Sequence, residues 1–383
     1  MKEFDDLIHA FVNELREHYG SGFIPLHRPV FNNTEKQYLQ QCIDSNFVSS
    51  AGKEVDEFET RISELTNSKH TKSVVNGTAA LHLALRVLGV SEGDEVITQR
   101  VSFVATANAI KYCNASPIFL DVERQTGTIC PNLLRRFLED RTRWQGEHRV
   151  NINSGRRITA CVVMHTFGHP AQMRELRGIC DEFKIPLIED AAEALGSYLE
   201  GEHVGKYSTL ATYSFNGNKI ITTGGGGCIT TDNEELSEKI KHLSTTAKVP
   251  HKYEYFHDQL GFNYRLPNLN ACLGLAQLEK MDYFLANKRG LANKYKNFFA
   301  NTGFRFWEER RNCQSNYWLN AVSFKTSEQK ICFLEKTNEL GVMTRPVWIL
   351  LDKLPYFAGC ETVKTGAADA IYDTTVNLPS SAQ

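Results

Sequence analysis

The stretch TKSVVNGTAALHLAL, Thr71–Leu85, carries an apolar strand through one glycine turn directly into a run of helix formers. Downstream the same alternation repeats. DEVIT (Asp94–Thr98) reads as a strand, FVATANAIKYC (Phe103–Cys113) as a helix and SPIFLDV (Ser116–Val122) as a strand. ITACVVMH (Ile158–His165) and IPLIED (Ile185–Asp190) follow as strands, separated by a helix near Met173–Phe183, and TLATYSF and GCITT add two more. Alternation on this scale predicts an α/β protein with a wound, mainly parallel sheet covered on both faces.

Beyond Asp232 the texture changes to a helix, a polar aromatic loop (His251–Pro267) and a long helical stretch from Asn268 towards Phe299. A smaller α+β domain is therefore expected over 268–383, after a large domain over 25–267. Residues 1–24 read as an amphipathic N-terminal helical extension, with acids from position 3 onward and no apolar secretion segment. The segment RTRWQGEHRVNINSGRR (Arg141–Arg157) carries five arginines and reads as a solvated loop; contact with a phosphorylated ligand is the alternative.

Composition narrows the function classes. Forty-three basic against 45 acidic side chains give a formal charge of −2, so no broad electrostatic case exists for nucleic acid or an anionic membrane. No apolar run approaches the roughly 20 residues that a membrane helix needs. Ten scattered cysteines with no CxxC pair read as reduced thiols of a cytoplasmic protein.

Ligands of wound sheets collect at the carboxyl ends of the strands. At the first junction, Gly77 permits the turn, and the Thr78 and Ala79 amides with the Thr78 hydroxyl offer an anion site. Capping by Asn76 or Thr78 explains the same residues equally well. At the second, Glu189 and Asp190 end an apolar strand; one can cap the next segment, and the other can hold a cationic ring nitrogen. The third is TYSFNGNKIITTGGGGCIT (Thr212–Thr230), where Lys219 lies between apolar strand residues and four glycines. A lysine there either snorkels to solvent or has chemistry to do. The glycines run into a strand and lack the helix start of a phosphate loop, so they are expected to let backbone pass close beside Lys219. His165 and His169 are four apart, but Gly168 and Pro170 break any helix there, so no metal site is expected and His165 reads as a loop histidine near a ligand.

An anion cradle, a strand-end carboxylate, an aromatic at Phe103 and a sequestered lysine together fit an enzyme of pyridoxal 5'-phosphate. The segments NGTAALHLAL, SFVATANAI, EDAAEALGS, TYSFNGNK and GFNYRLPNLNACLG, in this order and spacing, resemble the DegT/DnrJ/EryC1/StrS family of pyridoxal-phosphate-dependent sugar aminotransferases. The resemblance implies an aspartate-aminotransferase-like fold (fold type I) and a homodimer with shared active sites. It implies Lys219 as the residue that bonds the cofactor and moves the substrate proton, Asp190 at the pyridine nitrogen, and Phe103 stacked on the ring. Gly77, Thr78, Ala79 and Ser214 are implied around the phosphate, with Asn263 reaching it from the other subunit; His165 and Arg265 are the substrate candidates. Glu193 stands where many members carry Gln or His beside the cofactor's phenolic oxygen, which a carboxylate repels unless protonated or turned aside.

The N-terminal run Ile24–Glu59 looks most like the branch acting on UDP-4-keto-6-deoxy-N-acetylglucosamine, so transamination of that nucleotide-linked keto-sugar with L-glutamate is the expected activity. The alternatives are a 3-keto-sugar aminotransferase, an amino-acid lyase of the same fold, and a silent nucleotide-sugar-binding protein.

Overall fold

The computed structural model describes residues 2–383. In chain order, α1 (Lys2–Tyr19), α2 (Asn33–Asp44) and α3 (Lys53–Thr66) precede the alternating region. That region runs β1 (His70–Val74), α4 (Gly77–Val87), β2 (Glu95–Gln99), α5 (Val104–Tyr112), β3 (Ser116–Leu120) and α6 (Pro131–Asp140). A hairpin of β4 (Thr142–Gln145) and β5 (His148–Asn151) leads to β6 (Ile158–Met164), α7 (Met173–Glu182) and β7 (Leu187–Asp190). After the short ribbon β8 (Tyr198–Leu199) and β9 (Glu202–His203) come β10 (Leu210–Ser214), β11 (Gly227–Thr231) and α8 (Glu234–Ser244). The chain continues through a hairpin of β12 (Lys248–Val249) and β13 (Phe256–His257) to α9 (Asn268–Leu278) and α10 (Met281–Phe299). It ends with β14 (Arg305–Phe306), β15 (Cys313–Gln314), β16 (Asn320–Ser323), α11 (Ser327–Glu339), β17 (Arg345–Pro346), β18 (Thr362–Val363), α12 (Ala367–Thr374) and β19 (Thr375–Leu378).

The main sheet has the order β1-β11-β10-β7-β6-β2-β3-β18. Only β11 runs antiparallel to its neighbours; every other pair in it is parallel. β2, β6 and β7 are buried at every residue, as parallel strands covered on both faces must be. One face packs Leu81, Leu85, Ile110 and Ile240 of α4, α5 and α8; the other packs Leu134 and Leu138 of α6 with Leu176 and Ile179 of α7. Gly227 opens β11 where an added Cβ would lie 2.7 Å from the backbone of Asn76 and of Tyr213, so the last glycine of the run is needed for strands to meet.

The second sheet, β14-β16-β19-β17, is antiparallel throughout. It shares its core with α1: Ile8, Phe11, Val12 and Leu15 meet Leu291, Phe299, Phe333 and Val376. Each such fully buried side chain contributes about 1.5–3 kcal/mol, which is why residues 2–19 pack as a layer of this half.

Two expectations need correction. The boundary placed at Asn268 falls too early, because Ala271, Leu275 and Leu278 of α9 pack with Val55, Phe58 and Ile62 of α3 in the large half. The handover lies within α10, where Met281 and Phe284 join that cluster and Leu291 onward joins the other. The arginine-rich stretch is a β-hairpin, not a loop. Gly146, at φ +61°, opens its two-residue turn, and Arg149 stacks 5.1 Å from the Trp144 ring and 4.8 Å from that of Phe183. Cross-strand stacking supplies the order that composition hides. Among the described residues no helix is long and apolar enough to cross a membrane.

Candidate active site

The carboxyl ends of β2, β6, β7 and β10 open on one cavity of about 330 Å³, lined by Gly77, Thr78, Phe103, Asp190, Glu193, Ser214 and Lys219 among others. Parallel pairing brings these residues together from far along the chain, since each strand delivers its end to the same edge.

Lys219 sits in the turn after β10, its amide donating to the Asn216 carbonyl at 3.0 Å. Its Nζ lies 3.9 Å from the centre of the Trp318 ring and 3.6 Å from Glu193 Oε1. The Trp318 indole N–H donates to the Asn218 carbonyl at 2.6 Å, so the same tryptophan braces the lysine's own turn. Burial pushes the Lys219 amine below the usual lysine range, with Glu193 opposing it. Burial pushes Glu193 up to about 8, and its Oε2 accepts the Phe167 amide at 2.9 Å. Burial thus works against charge on both groups, and their mutual attraction opposes it.

Asp190 closes β7. Its Oδ2 accepts the Thr106 hydroxyl at 2.7 Å and its Oδ1 the Ala192 amide at 3.2 Å. Burial still pushes its carboxyl above the ordinary aspartate range. A buried carboxylate in that state gains most from an incoming cation.

At the start of α4, an added Cβ on Gly77 would lie 2.8 Å from Ser214 Cβ, so only glycine lets the helix approach β10. The first-turn amides of Gly77 and Thr78 have no acceptor in their own helix, and both residues line the cavity with Ser214. Ala79 differs from expectation: its amide is occupied by Asn76 Oδ1 at 2.8 Å. The cap and the anion cradle therefore coexist, with Asn76 taking one donor and leaving two.

Three predicted residues lie elsewhere. His165 is fully buried, its Nε2 3.0 Å from Glu189 and its Nδ1 accepting the Ala171 amide, so it fixes the strand ends and does not face the cavity. Arg265 pairs with Glu59 and, at 3.4 Å, with Asp56, and lines a separate cavity beside Phe47 and Gly52. Asn263 is exposed, bridged through its backbone to Thr245. Sequence reasoning missed Trp318 and Trp348, which line the Lys219 cavity from the C-terminal half, and Thr106, which holds Asp190. For Thr106 a signal existed, one helical turn after Phe103 on the cavity face of α5; for the tryptophans there was none.

The donor set fits pyridoxal phosphate. Two free helix-start amides with Ser214 suit its phosphate, Asp190 suits a protonated ring nitrogen, Phe103 at the cavity mouth suits the ring face, and Lys219 has the free amine that bonds a carbonyl. That combination on this sheet defines the class: an aminotransferase of fold type I dependent on pyridoxal phosphate. The chain belongs to the DegT/DnrJ/EryC1/StrS aminotransferase family, whose family model matches residues 29–383.

Among its relatives, a GDP-perosamine synthase of Escherichia coli O157:H7 is 33% identical over 94% of this chain and 93% of its own. A putative pyridoxal phosphate-dependent aminotransferase, EpsN, of Bacillus subtilis (strain 168) is 36% identical over 87% of this chain and 84% of its own. Among solved structures, the PMP form of the putative sugar aminotransferase Spr1654 of Streptococcus pneumoniae superposes with a TM-score of 0.85, at 21% identity over 94% and 92% of the two chains, and shows the same fold.

Glu193 gives a first prediction. With its pKa near 8, it is neutral at pH 7 and gains charge as pH rises through about 8. That charge holds a proton on Lys219 and opposes an anionic oxygen facing it. Turnover is expected to fall across this range in the wild type. Glu193→Gln, which mimics the protonated acid, should stay within about threefold at pH 7 and lose the fall near pH 8. A pH–rate profile with the same step in both proteins would assign the ionisation to another group.

Proposed function

We propose that the protein transfers the amino group of L-glutamate to the keto carbon of a nucleotide-linked sugar, with UDP-4-keto-6-deoxy-N-acetylglucosamine as substrate. The observation that carries the reading is the sequestered amine of Lys219, 3.6 Å from Glu193, in one cavity with a strand-end aspartate.

Bound in this cavity, pyridoxal phosphate supplies the electron sink for a carbon about to lose its proton. The protein's residues do the rest. The Gly77 and Thr78 amides and Ser214 fix the phosphate end, and Asp190, steadied by Thr106, keeps a proton on the ring nitrogen. The Lys219 amine would take the proton from the α-carbon of the amino donor in the first half-reaction and deliver a proton to the former keto carbon of the sugar in the second. Trp318 limits where the Lys219 Nζ can swing. Donor and acceptor use one cavity in turn, so ping-pong kinetics follow.

The choice of nucleotide rests on the likeness of Ile24–Glu59 to the UDP-sugar branch. The GDP-perosamine synthase at 33% identity supports a second reading, a GDP-linked keto-sugar. The site is also read as shared between two copies in a cytoplasmic homodimer, with Asn263 serving the neighbour and Arg265 a substrate candidate. In support, Phe47, Val48, Tyr253, Tyr255 and Phe256 stand exposed on the segments flanking Arg265's cavity and Asn263.

Purified protein should be incubated with glutamate and UDP- or GDP-linked 4-keto and 3-keto sugars, with products read by mass and NMR. Amination of the UDP-4-keto sugar alone is the expected result; turnover only of the GDP sugar replaces the nucleotide, and turnover of no keto-sugar overturns the function. Refolding Lys219→Ala and Asn263→Asp chains together should restore roughly a quarter of wild-type sites, because half the dimers are mixed and one site in each is intact. Activity no higher than separately refolded controls, with mixed dimers formed, would remove Asn263 from the shared site.

A further inference from the structure

A second cavity lies on the smaller half of the molecule, about 370 Å³ in volume, and shares no lining residue with the Lys219 cavity. It is lined by Arg124 from the loop after β3, Gly303 and Arg305 at the start of the antiparallel sheet, Lys325 after β16, and Thr374 at the end of α12. Among the described residues, the side chains of Arg124, Arg305 and Lys325 make no ion pair and no hydrogen bond, and no carboxylate lines the cavity with them. The contrast lies in the same half of the chain: Arg289 pairs with Glu309, Lys296 with Glu308 and Lys353 with Asp369.

The geometry holds the charges in place. The Arg305 guanidinium rests 5.0 Å from the Trp307 ring centre, and the Trp307 indole N–H is fixed on Ser323 Oγ at 2.9 Å. Gly303 has φ +73°, which favours glycine, and a Cβ there would lie 3.1 Å from Lys325 Nζ, so the ammonium rests close over this turn. Desolvation, and then the like charge of Arg124, push Arg305 below the usual arginine range. Three exposed cations from three separate segments thus line one concavity with no carboxylate among them.

We infer that Arg124, Arg305 and Lys325 form a second ligand site, for a small phosphate-bearing dianion. A phosphate group supplies the acceptors that two guanidinium forks and an ammonium can share, and its charge complements theirs. The aromatic and aliphatic floor of Phe324 and Ile371 leaves room for an organic portion on a phosphate ester, so inorganic phosphate and a sugar phosphate are the two sources to separate. The site is independent of the proposed sugar substrate.

Calorimetric titration of the cofactor-loaded enzyme in a phosphate-free buffer of low ionic strength tests this, because loading occupies the phosphate cradle at Gly77 and Thr78. Inorganic phosphate and glucose 1-phosphate are the probes. Saturable binding of one per chain is expected, weakened at least tenfold by the pair Arg305→Gln and Lys325→Gln and severalfold by Gly303→Ala, which moves the ammonium without removing charge. Tighter binding of the ester points to a phosphorylated metabolite, and equal or tighter binding of inorganic phosphate to the free ion. Absence of saturable binding by either probe, or equal affinity in the wild type and the double variant, overturns the site.

Discussion

Lys219→Ala is expected to lower sugar amination by about 10⁴-fold or more, the upper range for loss of a positioned proton-transfer group, while the protein still folds and still takes up pyridoxal phosphate. The expectation follows from the cavity's construction. The cradle at Gly77, Thr78 and Ser214 and the carboxylate of Asp190 do not involve Lys219, so cofactor affinity survives in part. The amine itself has no substitute. Lys288 is the other deeply buried lysine of this region, with its amine pushed down to about 7 by burial, but it donates to the carbonyls of Trp318, at 3.1 Å, and Ser380. It supports the tryptophan under Lys219 and is held away from the cavity by those contacts. Borohydride reduction of the wild type followed by peptide mapping should place the cofactor on Lys219 alone. A label on any other lysine, or turnover within tenfold of wild type in Lys219→Ala, would remove it from the chemistry.

What the sequence disclosed and what it hid divide along the range of the interactions involved. Gly77, Thr78, Asp190, Ser214 and Lys219 were legible because each lies at a strand-to-loop junction, and a parallel sheet sends every such junction to one edge. His165 shares that junction but was misread, since its fate depends on the neighbouring strand end, where Glu189 takes its Nε2. Ala79 was misread for a subtler reason: capping and anion binding compete for the same amides, and Asn76 wins one of them. Trp318 and Trp348 were invisible because tertiary contacts alone carry them to the cavity. Asn316 fixes the first, donating to the carbonyls of Glu193 and Leu195 while accepting the Trp318 amide at 2.8 Å. For the second, the fully buried Arg100 at the end of β2 reaches Asp352 at 2.9 Å and Asp369 at 2.7 Å, clamping the C-terminal segment that follows Trp348 onto the large half. Removing one partner from such a buried network leaves an uncompensated charge, so these contacts fix geometry even where their net stabilisation is small.

Asp190→Asn is expected to slow both half-reactions by about 10²–10³-fold, the range seen when one preorganised electrostatic contact to a developing charge is lost. The substitution keeps shape. The Ala192 amide can still donate to the amide oxygen, and the Thr106 hydroxyl, now a donor to Oδ2, can turn and accept from the new amide nitrogen. What disappears is the negative charge proposed to hold a proton on the cofactor's ring nitrogen. Burial works against charge on the Asp190 carboxyl, and a ring cation is the partner that favours its ionised form. The carboxylate therefore contributes more as charge accumulates on the ring than it does to binding. For that reason the loss should fall on kcat in each half-reaction, with glutamate alone and with the keto-sugar alone, and leave the KM for either substrate within a few-fold. Stopped-flow absorbance of each half-reaction, with cofactor occupancy measured on the same samples, separates the two effects. Near-normal rates at full occupancy would leave Asp190 only the local task of ordering the turn through the Ala192 amide, and the ring nitrogen would need another source of its proton.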